Sequence, residues 1–171
     1  GDAGLEVAVG SEGGYIYVFD SDGRELWRSC ESGHTDGCFE RYATHGGVSI
    51  ADVDDDGWQE VVAGFDHEMR IHDGRTGRIE ASRRFTSGLA LTPASTPAIA
   101  EIDGITHIAQ PYYFEDNTRI DIFTTGRRLC RADWPTFMRD NRRSGRFRAV
   151  PGASGPFRCP VDFVAQQYQD F

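Results

Sequence analysis

Glu6-Val7-Ala8-Val9-Gly10 returns 54 positions later as Glu60-Val61-Val62-Ala63-Gly64, and the likeness continues beyond each copy. A second alternating run succeeds each, Tyr15-Ile16-Tyr17-Val18-Phe19 in one unit and Glu68-Met69-Arg70-Ile71-His72 in the other. Turn residues come next, Asp20-Ser21-Asp22-Gly23 and Asp73-Gly74-Arg75-Thr76-Gly77, and a third run closes each unit, Glu25 to Arg28 and Arg78 to Ser82. A weaker third copy reads His107 to Gln110, Arg119 to Phe123, Thr124-Thr125-Gly126 and Arg127 to Cys130. A unit this small cannot bury its own apolar side, so neighbouring copies must cover one another.

Period-two alternation, a total of 20 glycines and short runs bounded by turns predict strands rather than helices. Gly47-Val48-Ser49-Ile50-Ala51 and Thr96-Pro97-Ala98-Ile99-Ala100 are small and apolar, as the innermost strands of a crowded centre must be. Each unit therefore reads as four short antiparallel strands, and such sheets repeated at this period stack radially into a β-propeller. The expected fold is all-β, with about three blades over residues 1–133 and an irregular, disulfide-pinned tail over 134–171. Within the tail, Val161 to Tyr168 is expected to form two helical turns at most. The long connections Ser29 to Gly46 and Thr86 to Ser95 fall between blades, where recognition loops sit. Closing a propeller takes about four to eight blades. Three suggest the C-terminal part of a longer protein, a proteolytic piece, or one partner of an assembled ring.

The strongest chemical signal is Asp52-Val53-Asp54-Asp55-Asp56-Gly57-Trp58-Gln59-Glu60. Alternate positions of a tight loop turn their carboxylates inward, so Asp52, Asp54 and Asp56 converge, the Trp58 backbone carbonyl adds a neutral oxygen, and Glu60 closes the shell. About six to eight hard oxygens are what Ca2+ takes, whereas Mg2+ keeps more water and uses fewer carboxylates. The loop resembles the first half of an EF-hand, but its twelfth position is Ala63 and its closing acid comes at the ninth. Asp2, Gly4 and Glu6 align with Asp56, Trp58 and Glu60 and make a possible half-site, with the first two Asp ligands missing. Glu101-Ile102-Asp103-Gly104 has lost the loop, and no metal is expected there.

The pattern D-x-D-x-D-G-x-x-E running into Glu60-Val61-Val62-Ala63-Gly64 resembles the FG-GAP/VCBS repeat, the calcium-loop blade of integrin α-like propellers. Trp134-Pro135-Thr136-Phe137 and the Asp140 to Gly145 stretch after it are similar to the W-P-x-F segment that often ends bacterial propellers of this kind. The resemblance implies an extracellular, periplasmic or cell-surface scaffold with structural Ca2+. It also implies that Trp134 and Phe137 pack on a blade face, with Asp140 and Arg142 fixing the turn.

Charge narrows the partners. With 18 basic and 27 acidic side chains the net charge is −9, which argues against nucleic acid or an anionic membrane as partner. No run of eighteen apolar residues occurs, so no helix is expected to span a bilayer. Four cysteines fit an oxidising compartment and allow three pairings, of which Cys30–Cys38 and Cys130–Cys159 are closest along the chain. Cys30, His34, Cys38 and His45 give the alternative of a zinc site, at a spacing that matches no common zinc pattern. His67, His72 and His107 read as partly exposed strand residues. Arg139, Arg142, Arg143, Arg146 and Arg148 form a basic cluster that either meets an anionic glycan or acidic partner, or stacks on Trp134 and Phe147. Tyr112-Tyr113-Phe114 and Trp58 are candidate sugar platforms or, alternatively, ordinary blade residues.

No G-x-S-x-G, P-loop, dinucleotide fingerprint or free Cys/His pair is present, so the expected class is not an enzyme. The reading is a calcium-stabilised propeller module that binds a protein or glycan. Alternatives are a structural subunit of a large envelope complex, completed by blades from another segment or chain, and the propeller part of a polysaccharide lyase or quinoprotein-like enzyme.

Overall fold

In a computed structural model the described residues are 6–30, 46–85, 92–93, 95–114, 117–137, 139 and 142–145. Among them the chain is all-β, in three antiparallel sheets. The first sheet is the meander β1 (Val7–Gly10), β2 (Tyr15–Phe19) and β3 (Glu25–Cys30). The second is the meander β4 (Ser49–Ala51), β5 (Glu60–Gly64), β6 (Glu68–Asp73) and β7 (Ile79–Arg84). In the third, β10 (Ile105–Phe114) pairs along one edge with β11 (Asn117–Thr124). Its other edge pairs with β9 (Ala98–Ile102) and then β8 (Thr92–Pro93).

The repeat seen in the sequence is the repeat of β1–β3 in β5–β7. Each hairpin turn is closed by its own Asp. The Asp20 carboxylate accepts the N–H groups of Asp22 and Arg24, and that of Asp73 accepts those of Arg75 and Thr76. Gly77 takes a left-handed φ of 72°, a conformation that costs a residue with a Cβ about 1–2 kcal/mol.

The second sheet lies between the other two, and its inner strands β5 and β6 are buried on both faces. Val61, Ala63 and Phe65 turn one way, onto Ile16, Val18 and Trp27 of the first sheet. Val62, Met69 and Ile71 turn the other way, onto Ile99, Ile108 and Tyr112 of the third. That double coverage explains why β5 and β6 are buried throughout while β1 and β11 alternate. Small residues permit the closest approaches. A Cβ on Gly47 would stand 2.6 Å from Thr96 Oγ1, and one on Gly46 2.6 Å from the Ser95 carbonyl.

Two expectations need correction, while the first sheet shows three strands among the described residues, with residues 1–5 and 31–45 on either side of it lying outside them. In the third unit Arg127 to Cys130 makes no strand, because its backbone bonds go elsewhere: the Arg127 carbonyl accepts Thr106 N–H, and Leu129 N–H donates to Glu101 Oε2. Phe137 is 57% exposed rather than buried against a sheet, whereas the segment before it is held by main chain. Ile50 and Trp134 exchange N–H···O bonds of 2.8 and 3.0 Å, and Ile99 N–H donates to the Pro135 carbonyl at 2.8 Å, so this stretch runs between β4 and β9. The expected helix at 161–168 lies outside the described residues, as do most of the two long connections.

Candidate metal centre

The acidic loop joins the end of β4 to the start of β5 and closes on itself through its own side chains. Gly57 N–H donates to Asp52 Oδ2 at 3.0 Å, and Val53 N–H donates to Glu60 Oε2 at 2.7 Å. Asp54 Oδ1 accepts Asp56 N–H at 3.1 Å, and Asp56 Oδ1 accepts Trp58 N–H at 2.7 Å. Left-handed φ values of 63° at Asp55 and 91° at Gly57 turn the chain sharply enough to do this.

As a result Asp52, Asp54 and Glu60 each bring a carboxylate oxygen within 4.8 Å of the others. Asp52 and Glu60 are buried and Asp54 is exposed, so the cluster has a closed floor and an open mouth. Asp52 Oδ1 is buried and has no hydrogen-bond partner. An anionic oxygen in that state is costly unless a cation meets it. Burial is the main reason that the Asp52 carboxyl is pushed up to about 6 and that of Glu60 up to about 9, with neighbouring carboxylates adding to both. Asp54 is raised by burial and by Asp56. The hydrogen-bonded turns provide the contrast. Asp20 and Asp73 each hold an arginine, Arg24 and Arg75, and both carboxyls are lowered. For Asp20 the Arg24 backbone N–H lowers it most; for Asp73 burial opposes the shift and the bonds from Arg75 and Thr76 outweigh it.

Three of the five expected ligands thus converge. Asp56 lies outside the convergent trio and caps the turn at Trp58 instead, and the Trp58 ring lies under the Arg75 guanidinium at 4.6 Å. That stacking leaves Trp58 half-buried and occupied. In the possible half-site Asp2 and Gly4 lie outside the described residues, and Glu6 is exposed.

Sequence spacing offers no hint of the wall behind the loop. Asp52 N–H donates to the Arg131 carbonyl at 2.7 Å. Gln59 and Asp133, 74 positions apart, exchange two bonds of 2.7 and 3.2 Å, while Arg131 grips Asp133 through two more. Cys130 is buried and disulfide-bonded, with its sulfur within 4.8 Å of carboxylate oxygens of Asp52 and Asp55. As a disulfide sulfur it is wall rather than ligand. Cys38 and Cys159, and with them both expected pairings, lie outside the described residues, as do His34 and His45 of the zinc alternative; Cys30 is described by its backbone alone.

The histidines and aromatic residues divide between core and surface. His72 is fully buried, against the expectation of partial exposure, stacked on Trp27 with ring centroids 6.3 Å apart and tilted to Phe65. His67 and His107 are half-buried. Tyr112 is buried against Phe85 and is no sugar platform, while Tyr113 is exposed. Of the basic cluster, Arg139 is half-buried, Arg142 and Arg143 are exposed, and Arg146 and Arg148 lie outside the described residues. No helix among the described residues is long and apolar enough to cross a membrane. No protein-family model matches this chain, and no curated protein matches it.

Proposed function

We propose that this chain is a calcium-stabilised β-propeller module, a non-catalytic binding or scaffolding unit for a protein or glycan outside the cytoplasm. One observation carries the metal reading: the convergence of Asp52, Asp54 and Glu60 around a buried Asp52 oxygen that has no protein partner. The donor set is all hard oxygen, which suits Ca2+, and the remaining oxygens would come from Asp56, the Trp58 carbonyl and water. When bound, the ion supplies positive charge and does no chemistry on a substrate. The chain's own residues tie the end of β4 to the start of β5 through the Glu60–Val53 and Asp52–Gly57 bonds. Neutralising the three carboxylates would make that tie firm.

The propeller reading is supported by three antiparallel sheets in a face-to-face row, with β4 and β9 drawn together and both hydrogen-bonded to the Trp134–Pro135 stretch. Ser49 Oγ donates to the Pro97 carbonyl and Gly47 N–H to Thr96 Oγ1, as small residues at a common centre would allow. The Cys30–Cys38 and Cys130–Cys159 pairings belong to the same reading, through the oxidising compartment they require.

Calorimetric titration with Ca2+, repeated with Mg2+, tests the proposal. Saturable Ca2+ binding at one site, abolished in Asp52→Asn and much weaker for Mg2+, is the expected result. Absence of heat with either ion, or equal affinity for both, would overturn it.

A further inference from the structure

One short segment after β11 holds the acidic loop at both of its ends. The Arg131 carbonyl accepts the N–H of Asp52, the loop's first carboxylate, at 2.7 Å. Two residues on, Asp133 exchanges bonds of 2.7 and 3.2 Å with Gln59, which immediately precedes the loop's last carboxylate, Glu60. Arg131 also grips the Asp133 carboxylate at 2.6 and 3.1 Å, so the two holding points are tied to each other. The flanks of the segment reach further. Trp134 exchanges two bonds with Ile50 of β4, while Arg127, Leu129 and Pro135 are bonded to Thr106 of β10 and to Glu101 and Ile99 of β9. The outer parts of the segment are therefore fixed to the third sheet and its middle to the second, and Leu129 and Ala132 pack on the core that those two sheets share.

Neighbouring residues of an extended chain turn to opposite sides, so holding Gln59 against Asp133 presents Glu60 to Val53 and Asp52 within the loop. At the other end the Arg131 carbonyl fixes the backbone of Asp52, a fully buried residue whose Oδ1 has no hydrogen-bond partner. We propose that residues 131–134 are a clasp coupled to the metal loop: Gln59 and Asp133 are positioning residues that set the span between Asp52 and Glu60, and calcium held there locks the segment onto β4. The proposal rests on the calcium reading above. Asp133 is not one of the convergent carboxylates, so it acts through position and not as a ligand. A span fixed before the ion arrives lowers the cost of gathering its ligands, and groups that orient ligands in this way contribute about 10–100-fold to metal affinity. Coupling of this kind is reciprocal: the factor by which the clasp tightens calcium binding is the factor by which calcium favours the closed clasp. The ion would then join the second sheet to the third, although all of its carboxylate ligands come from one loop.

Calcium titration by calorimetry on the whole chain tests the positioning role. Gln59→Leu and Asp133→Leu should each weaken calcium binding about ten-fold, and the double variant should be no weaker than either, because both remove one and the same tie. Asp133→Asn removes the same charge as Asp133→Leu but keeps an oxygen for the Gln59 amide, and should stay within about threefold of wild type. Amide hydrogen exchange on the wild-type chain needs no variant to fold: calcium should slow the Asp133 and Trp134 amides about as much as those of the loop, and those of β2 far less. Wild-type affinity in both Leu variants, an Asn variant as weak as the Leu variant, or slowing spread evenly through β2 would each overturn the clasp while leaving the calcium site standing. A wild-type chain that binds no calcium would overturn the metal reading, and the clasp with it.

Discussion

Asp52 and Glu60 stand at the two ends of one loop and place carboxylate oxygens within 4.8 Å of each other, both out of contact with solvent. Each gives one oxygen to a backbone N–H of the same loop, so the loop is braced from inside before any ion arrives. Bracing of this kind fixes position but leaves charge unbalanced.

Replacing Glu60 with Gln should separate those two roles. With its carboxyl pushed up to about 9, Glu60 is neutral near pH 7 in the absence of a cation, and Gln is its neutral isostere. Thermal unfolding in chelator should therefore be little changed. In calcium at about a hundred times its Kd, wild type should gain roughly 3 kcal/mol, or some 5–10 °C for a chain of this size, and the variant should lose most of that gain. An equal loss with and without calcium would assign Glu60 to packing alone.

Acidity should control the metal. Burial raises the folded-state carboxyl of Glu60 above its unfolded value, so its contribution to stability is full below about 4.5 and is lost as the pH rises through about 9. Calcium bound at this cluster, as proposed, would have to displace that proton. The gap in unfolding temperature between calcium and chelator should widen from pH 6 toward pH 9, and calorimetry in two buffers of different ionisation heat should register protons released on binding. A gap independent of pH would contradict this.

His72 predicts an acid limit of separate origin. Its burial between the first and second sheets is the main reason its pKa is lowered from 6.5 to about 4, against the Gly77 carbonyl bond that raises it. The folded-state value is depressed, so the stability is present above the unfolded pKa and is lost as the pH falls from about 6.5 through about 4. The loss is on the order of 3 kcal/mol for a shift of that size. Denaturant unfolding of His72→Phe between pH 7 and 4 should lose less stability than wild type; parallel curves would place the acid sensitivity elsewhere.

Gly77 should not tolerate a methyl group. Its φ is 72°, and an added Cβ would stand 2.4 Å from Trp27 Cε3. Trp27 is also tethered across the two sheets by its indole N–H to the Gly74 carbonyl at 2.7 Å, so it cannot swing aside freely. Gly77→Ala should cost at least about 1–2 kcal/mol for the backbone alone, with a further loss from displacing the indole. Equilibrium urea unfolding measures it. Gly23→Ala, equally left-handed with nothing within 4 Å of its Cβ, is the control that carries the backbone cost alone.

The sequence by itself determined what is local. Period-two alternation set which residues become strands, Asp-Gly turns set where they reverse, and a repeat of 54 positions disclosed two matching meanders. The same locality made Asp52, Asp54 and Glu60 legible, because their convergence needs only one tight loop. Tertiary structure decided what depends on a neighbour. Arg127 to Cys130 carries a strand-like pattern, yet Thr106 and Glu101 claim its backbone groups. His72 shares the alternation of an exposed strand residue and is buried because the first sheet covers its side. The wall of Arg131 and Asp133 behind the acidic loop is remote in sequence, and no spacing rule links it to Gln59. Alternation specifies that a strand has two faces; only the stacking of sheets specifies what each face meets, since burial belongs to the pair of surfaces and not to either strand.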